Sequence, residues 1–338
     1  GYTEQAFTSL KKVTELNPEY ADGHNNLGVI LQDLGKLDES VNSFNTALSL
    51  KPNYPEAYNN LAITYRKNKK YEESVNFFNK AISLNPNYAE AYNNLATTLK
   101  EQGKINKAID FFKKAISLKP HYAEAYYNMG KVQKEKNKFE ESIKFYNKAL
   151  SLKSDYFEAY YNIGIIFQEQ GKLEEAIDYF NKALLIKPNY EKAQAQKLYQ
   201  KAKICNWETF REDREKANKL GKLNNDIPPF TMLSFEDDPD SHLLRSQIYV
   251  KKNLYQEQIP FKKNTQFFKN KRLRIGYFSA DFQNHATMYL MADIFEKYNR
   301  EKFKVYVYSF GKSKDSDEIR KKLKNSVDVF RDVINVDE

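Results

Sequence analysis

The sequence predicts two architectures in series: an α superhelix of paired helices over residues 1–190, and the start of a parallel α/β sheet from residue 272. Three observations predict them. A 34-residue period runs from the first residues to Tyr190. It fails there, and residues 191–271 read as a helical cap and a basic connector. From Arg272 onward, short apolar runs rich in β-branched and aromatic residues alternate with helix-like stretches, the pattern of β-α-β units.

Pro18, Pro52, Pro86, Pro120 and Pro188 mark the period, with Ser154 replacing proline once, and a tyrosine follows each mark two residues later. Small residues Gly28, Ala62, Ala96, Gly130 and Gly164 sit mid-helix, where a neighbouring helix must come close. Ala47, Ala81, Ala115, Ala149 and Ala183 do the same on the second helix, and Phe44, Phe78, Phe112, Tyr146 and Phe180 fill the space between. The turn inside each pair carries Gly35, Gly103, Asn137 or Gly171, residues that tolerate positive φ; Lys69 is the exception. This pattern resembles the tetratricopeptide repeat. Five complete units are expected at 21–54, 55–88, 89–122, 123–156 and 157–190, with residues 1–20 as the second helix of a cut unit. One unit cannot bury its own apolar face, so the units stack into a right-handed superhelix with a long concave groove.

Within that groove Asn26, Asn60, Asn94, Asn128 and Asn162 recur in register. Asparagine is a mediocre interior helix former, and its carboxamide both donates and accepts, so a row of them suits the backbone of an extended peptide. Duplication of a generic repeat would copy them equally well. Asp22, Glu56, Glu90, Glu124 and Glu158 recur in the first turn of the same helices. There they complement the helix dipole, a structural role.

Past Tyr190, residues 191–203 read as one more helix capping the stack, then residues 207–220 as another. Asp237-Asp-Pro-Asp240 could suggest a metal-holding acidic pair, but no apolar strand precedes it. Asp238 as N-cap with Pro239 at the first helical position is the expected reading, and no metal site is expected. Strands are expected at Leu273–Ser279, Phe303–Phe310 and Val329–Val333, with helices near Thr287–Tyr298 and Ser316–Ser326. Right-handed crossovers would make these a parallel, Rossmann-like sheet, incomplete as it stands, and no Gly-x-Gly-x-x-Gly fingerprint is present. The polar loop after the first strand carries His285, at the strand end where open α/β sheets place their chemistry.

Composition bounds the remaining classes. Lys251 to Arg274 holds eight Lys or Arg against Glu257 alone, interleaved with Tyr255, Phe261, Phe267 and Phe268. It is read as a solvated connector rather than a nucleic-acid site, because no nucleic-acid-binding motif accompanies it. The longest apolar stretch, Ile163 to Phe167, is far too short for a bilayer, so no membrane partner is expected. Cys205 is the single cysteine, which fits a reducing, cytoplasmic setting.

Repeats, then Cys205-Asn206-Trp207, then Leu273-Arg-Ile-Gly-Tyr-x-Ser-x-Asp-Phe-x-Asn-His285 resemble the O-GlcNAc transferase family in its SPINDLY-like form. The resemblance implies a fragment of an inverting, two-lobed glycosyltransferase: acceptor-binding repeats at 1–190, a cap and connector at 191–271, and the start of the first catalytic lobe at 272–338. It implies transfer of a sugar, GlcNAc from UDP-GlcNAc or in some relatives fucose from GDP-fucose, to Ser or Thr of proteins. No cofactor is implied. By the same resemblance the active-site histidine falls on His285, and the acceptor-binding asparagines on Asn26, Asn60, Asn94, Asn128 and Asn162. Ala286 stands where the family often has proline, and Tyr289 where animal members have a second histidine, so that histidine's role is not carried over. The site for the leaving diphosphate is implied on the second lobe, so the fragment alone is expected to be inactive. The alternative reading is a non-catalytic scaffold that binds proteins or peptides in the same groove.

Overall fold

The computed structural model describes residues 2–222, 227–232, 235, 238–253, 272–279, 282, 288, 294–310 and 317–333. The chain divides into two units, Gly1–Tyr255 and Gln256–Glu338.

The first unit opens with α1 (Tyr2–Leu16) and continues as five helix pairs. They are α2 (Ala21–Asp33) with α3 (Leu37–Leu50), α4 (Pro55–Lys67) with α5 (Tyr71–Leu84), α6 (Ala89–Glu101) with α7 (Ile105–Leu118), α8 (Ala123–Glu135) with α9 (Phe139–Leu152), and α10 (Phe157–Glu169) with α11 (Leu173–Ile186). Phe44, Phe78, Phe112, Tyr146 and Phe180 are wholly buried between the helices of their pairs. The mid-helix small residues explain how. A Cβ placed on Gly28, Gly130 or Gly164 would stand 2.7 Å from the ring of Phe44, Tyr146 or Phe180 respectively.

The turn within each pair has one geometry. Gly35, Gly103 and Gly171 take φ of 74°, 76° and 76°, and Asn137 and Lys69 both take 58°. The amide after each reaches back to a carbonyl of the last helical turn, as Lys36 does to Leu31 and Lys70 to Tyr65, both at 2.9 Å. This is a Schellman-type stop, and packing imposes it even on Lys69, whose side chain makes the left-handed conformation costly by about 1–2 kcal/mol.

After the pairs, α12 (Glu191–Lys203) buries Ala193, Ala195 and Leu198 and extends the stack. The next helix, α13 (Phe210–Ala217), is shorter than residues 207–220 suggested. Its end is capped from elsewhere: buried Arg245 donates to the carbonyls of Leu220 at 2.8 Å and Ala217 at 3.1 Å. Arg245 belongs to α14 (Pro239–Asn253), which starts at Asp238 as expected, the Asp238 carboxylate accepting from the Asp240 amide at 3.2 Å and from the Ser241 hydroxyl.

In the second unit β1 (Leu273–Ser279), β2 (Phe303–Ser309) and β3 (Val329–Asp332) form a parallel sheet in that order. Leu273 pairs with Phe303 and Tyr306 with Val329. β2 and β3 end one residue earlier than the sequence suggested. Residues 294–297 are helical, and α15 (Glu318–Ser326) starts at Asp317, whose side chain accepts from the Arg320 amide at 2.9 Å. Phe282, Met288, Phe295, Val305, Val307, Leu323 and Val327 make the core of this unit. Among the described residues no helix is long and apolar enough to cross a membrane.

Candidate functional site

The recurrent asparagines form a physical ladder. The side-chain amide of Asn60 donates to Asn25 Oδ1 at 3.1 Å, Asn94 to Asn59 at 3.1 Å and Asn128 to Asn93 at 3.0 Å. Each rung spans 35 residues, so it joins one repeat to the next. The accepting residues Asn25, Asn59 and Asn93 are buried, and sequence reasoning missed them. The doubled Asn-Asn at 25–26, 59–60 and 93–94 was their only signal. A primary amide has two N–H donors and an oxygen with two lone pairs, so a rung aligns each ladder carboxamide while using part of its capacity.

The chemistry changes along the array. In the fourth and fifth repeats the partner position holds the half-buried Tyr127 and Tyr161. Asn162 therefore donates to the Tyr127 hydroxyl at 3.0 Å, and also to the Glu158 carbonyl at 2.9 Å. Burial, then the charge of Glu158, pushes the Tyr127 phenol up to about 12, so it is a neutral donor and acceptor. Asn26, in the first repeat, is exposed and accepts from Asn25 Nδ2 at 3.4 Å.

Charged rungs run beside the amide rungs, near the last turns of the same helices. Lys67 donates to Gln32 at 3.1 Å, Lys100 pairs with Glu135 at 2.7 Å and Lys134 with Glu169 at 2.9 Å. Burial pulls the Lys131 ammonium below its ordinary range, and neighbouring Lys100 adds to that. The first-turn carboxylates are engaged as well. Asp22 lies 3.8 Å from Lys51, Glu90 bonds Lys119, and Glu124 accepts from Asn93 at 3.3 Å. These pairings fit the structural role expected of that row.

In the second unit the carboxyl ends of the strands are drawn together by polar bonds. Ser309, the last residue of β2, is fully buried and accepts from Arg320 at 2.8 Å. The candidate His285, with Asn284, Ala286 and Tyr289, lies outside the described residues, as does most of the basic stretch 251–274. At the opposite end of the sheet, Asp328 accepts from the Tyr298 hydroxyl at 2.6 Å and the Val305 amide at 2.8 Å, and pairs with Arg272 at 3.2 Å. Burial works to raise the Asp328 carboxyl, but those bonds hold it below the usual range.

Comparison with known proteins gives matches in both parts of the chain. Residues 235–338 match the model of glycosyl transferase family 41. Tetratricopeptide-repeat models match residues 30–69, 55–120, 99–151, 134–171 and 157–190. Over 63 residues the chain is 41% identical to the probable UDP-N-acetylglucosamine--peptide N-acetylglucosaminyltransferase SEC of Arabidopsis thaliana. That stretch is 19% of this chain and spans 6% of the length of that relative. Among solved structures, the APC/C hetero-tetramer Cut9-Hcn1 superposes with a TM-score of 0.56 at 14% identity, covering 73% of this chain and 46% of that one. Pseudomonas aeruginosa pilF superposes with a TM-score of 0.52 at 16% identity, covering 59% and 90%. At such identities the two structures speak for the helical fold alone. The chain thus carries tetratricopeptide repeats followed by a region, 235–338, that matches glycosyl transferase family 41.

Proposed function

We propose that this chain is the acceptor-binding and first-lobe portion of an inverting protein O-glycosyltransferase that moves GlcNAc from UDP-GlcNAc to Ser or Thr hydroxyls. The observation that carries this reading is the family 41 match over residues 235–338, following an array whose carboxamides are aligned rung by rung. Asn26, Asn60, Asn94, Asn128 and Asn162 hold the acceptor backbone. The amide groups that the rungs leave free pair with peptide groups of any sequence, so the groove grips polypeptide without demanding one motif; at Asn162, whose two N–H donors are already used, the oxygen does this.

In the reaction the acceptor oxygen forms a bond to the anomeric carbon while the bond from that carbon to the diphosphate oxygen breaks. The electron pair leaves on the diphosphate. His285 acts at the acceptor hydroxyl, either taking its proton or orienting it. A neutral imidazole can do either. If it takes the proton, the rate falls as acid protonates the imidazole; an orienter leaves this limb flat.

The test is sugar transfer to a Ser/Thr peptide by the intact protein that carries these residues, with UDP-GlcNAc and GDP-fucose offered separately. His285→Ala is expected to lower transfer by about 100-fold or more. Asn94→Ala with Asn128→Ala is expected to raise the peptide KM and spare kcat. Transfer by His285→Ala at the wild-type rate removes the histidine assignment. Peptide binding without transfer from either donor makes the protein a scaffold instead.

A further inference from the structure

The charged rungs of the array keep a register, and one of them stays open. Gln32, Arg66, Lys100 and Lys134 hold one position of successive repeats, and Lys67, Glu101, Glu135 and Glu169 hold the facing position of the repeat that follows. Lys67 closes on Gln32 at 3.1 Å, Lys100 on Glu135 at 2.7 Å and Lys134 on Glu169 at 2.9 Å. Arg66 and Glu101 stand in the equivalent places, two turns past the amide rung from Asn94 to Asn59. Among the described residues they do not close, and their charges act on each other only at a distance.

A second cation lies beside the open rung. Lys131 stands on α8 one turn past the ladder residue Asn128 and one turn before Glu135, so the three share a helix face. Its ammonium is 5.6 Å from the centre of the Tyr127 ring. The first helices of successive pairs, α4, α6 and α8, touch in turn, which gathers Arg66, Lys100 and Lys131. Arg66 and Lys131 are half-buried, and burial pulls both below their ordinary ranges. The charges of Lys100 and Arg66 lower Lys131 further. A guanidinium keeps its charge in such a place.

Like charges drawn partly out of water cost free energy unless an opposite charge meets them. The array's own carboxylates are mostly committed elsewhere. Glu135 and Glu169 serve Lys100 and Lys134, Glu124 accepts from Asn93, and Glu101 is exposed. The arrangement therefore suits a carboxylate from outside. A polypeptide whose main chain runs along the neighbouring asparagines carries its side chains past these cations.

We propose that Arg66 and Lys131 form a subsite for an acidic side chain, which takes an aspartate or glutamate of an extended peptide held along the adjacent asparagines. This rests on the peptide-binding part of the reading above and not on sugar transfer. The experiment measures binding of fluorescent Ser/Thr peptides to the intact protein, one peptide bearing glutamates and its twin bearing glutamines at the same places. The glutamate peptide should bind about tenfold more tightly, as two half-exposed ion pairs allow, and high salt should erase the difference. Arg66→Gln with Lys131→Gln should abolish the preference and leave the glutamine peptide's Kd unchanged. Glu101→Gln removes a competing carboxylate and should tighten the glutamate peptide alone by about threefold. That variant decides the matter if the double variant does not fold, and an unchanged Kd there counts against the subsite. Equal Kd values for the twin peptides overturn the proposal and leave the groove reading intact. Equal weakening of both peptides in the double variant overturns it too, since the cations would then serve the array's stability. If neither peptide binds, the subsite and the groove reading fall together, whatever sugar transfer shows.

Discussion

The repeat array and the sheet unit employ their buried polar groups in opposite ways. In the array one bond type recurs at three successive repeat junctions, Asn60 to Asn25, Asn94 to Asn59 and Asn128 to Asn93, each linking two units. In the sheet unit single residues act as hubs. Asp328 collects a phenol, a main-chain amide and a guanidinium, and Arg320 collects the Phe282 carbonyl and the ends of β2 and β3. A recurring rung is backed by its neighbours, whereas a hub has no duplicate. Damage should therefore stay graded in the first region and become abrupt in the second.

The largest effect is expected from Phe112→Ala, which empties the fully buried space between α6 and α7. It should cost about 3–5 kcal/mol of array stability, read by urea denaturation, while amide exchange in β1 and β2 stays unchanged. If the sheet strands loosen equally, the two regions do not unfold independently and the contrast fails.

Next in size is Asp328→Ala, which strands the Val305 amide and should cost about 2–3 kcal/mol within the sheet unit. The same carboxylate predicts a pH effect. Its folded pKa is depressed, so its contribution is complete above the unfolded aspartate value of about 3.9 and fades as pH falls through the lower folded value. Sheet stability should drop on acidification below about pH 4 in the unaltered protein. In the Asp328→Ala variant that part of the drop should vanish, and its persistence would show that other carboxylates govern acid loss.

The smallest effect sharpens the comparison from the other side. Lys69 adopts φ of 58° where three other turns have glycine. Lys69→Gly should stabilise the array by about 1 kcal/mol, seen as a higher Tm. A neutral or negative result would mean the lysine side chain repays its backbone conformation.

What could be read from the residues follows the same contrast. The helix pairs were legible because packing repeats the demand for Gly28, Phe44 and Ala47 at each 34-residue step. β1 was legible as an apolar run between polar ends, and Asp238 as a helix start through the proline after it. Asn25, Asn59 and Asn93 were not, because a buried asparagine in a helix looks like any polar residue until its partner is known. Arg320, Asp328 and Arg245 were illegible for a stronger reason. Each takes its partners from distant segments, and nothing in a charged residue's immediate neighbours says that it will be buried. The end of α13 belongs here too, since Arg245, which donates to its carbonyl at Ala217, lies 28 residues away.

The 35-residue rung has an evolutionary consequence. Excising residues 89–122 would bring Tyr88 next to Ala123 and leave Asn128 facing Asn59, another buried asparagine like the Asn93 it lost. The shortened spiral could close its seam without inventing a contact. Such a lineage can lengthen or trim its reach by whole units, while the hub-built sheet must be inherited intact.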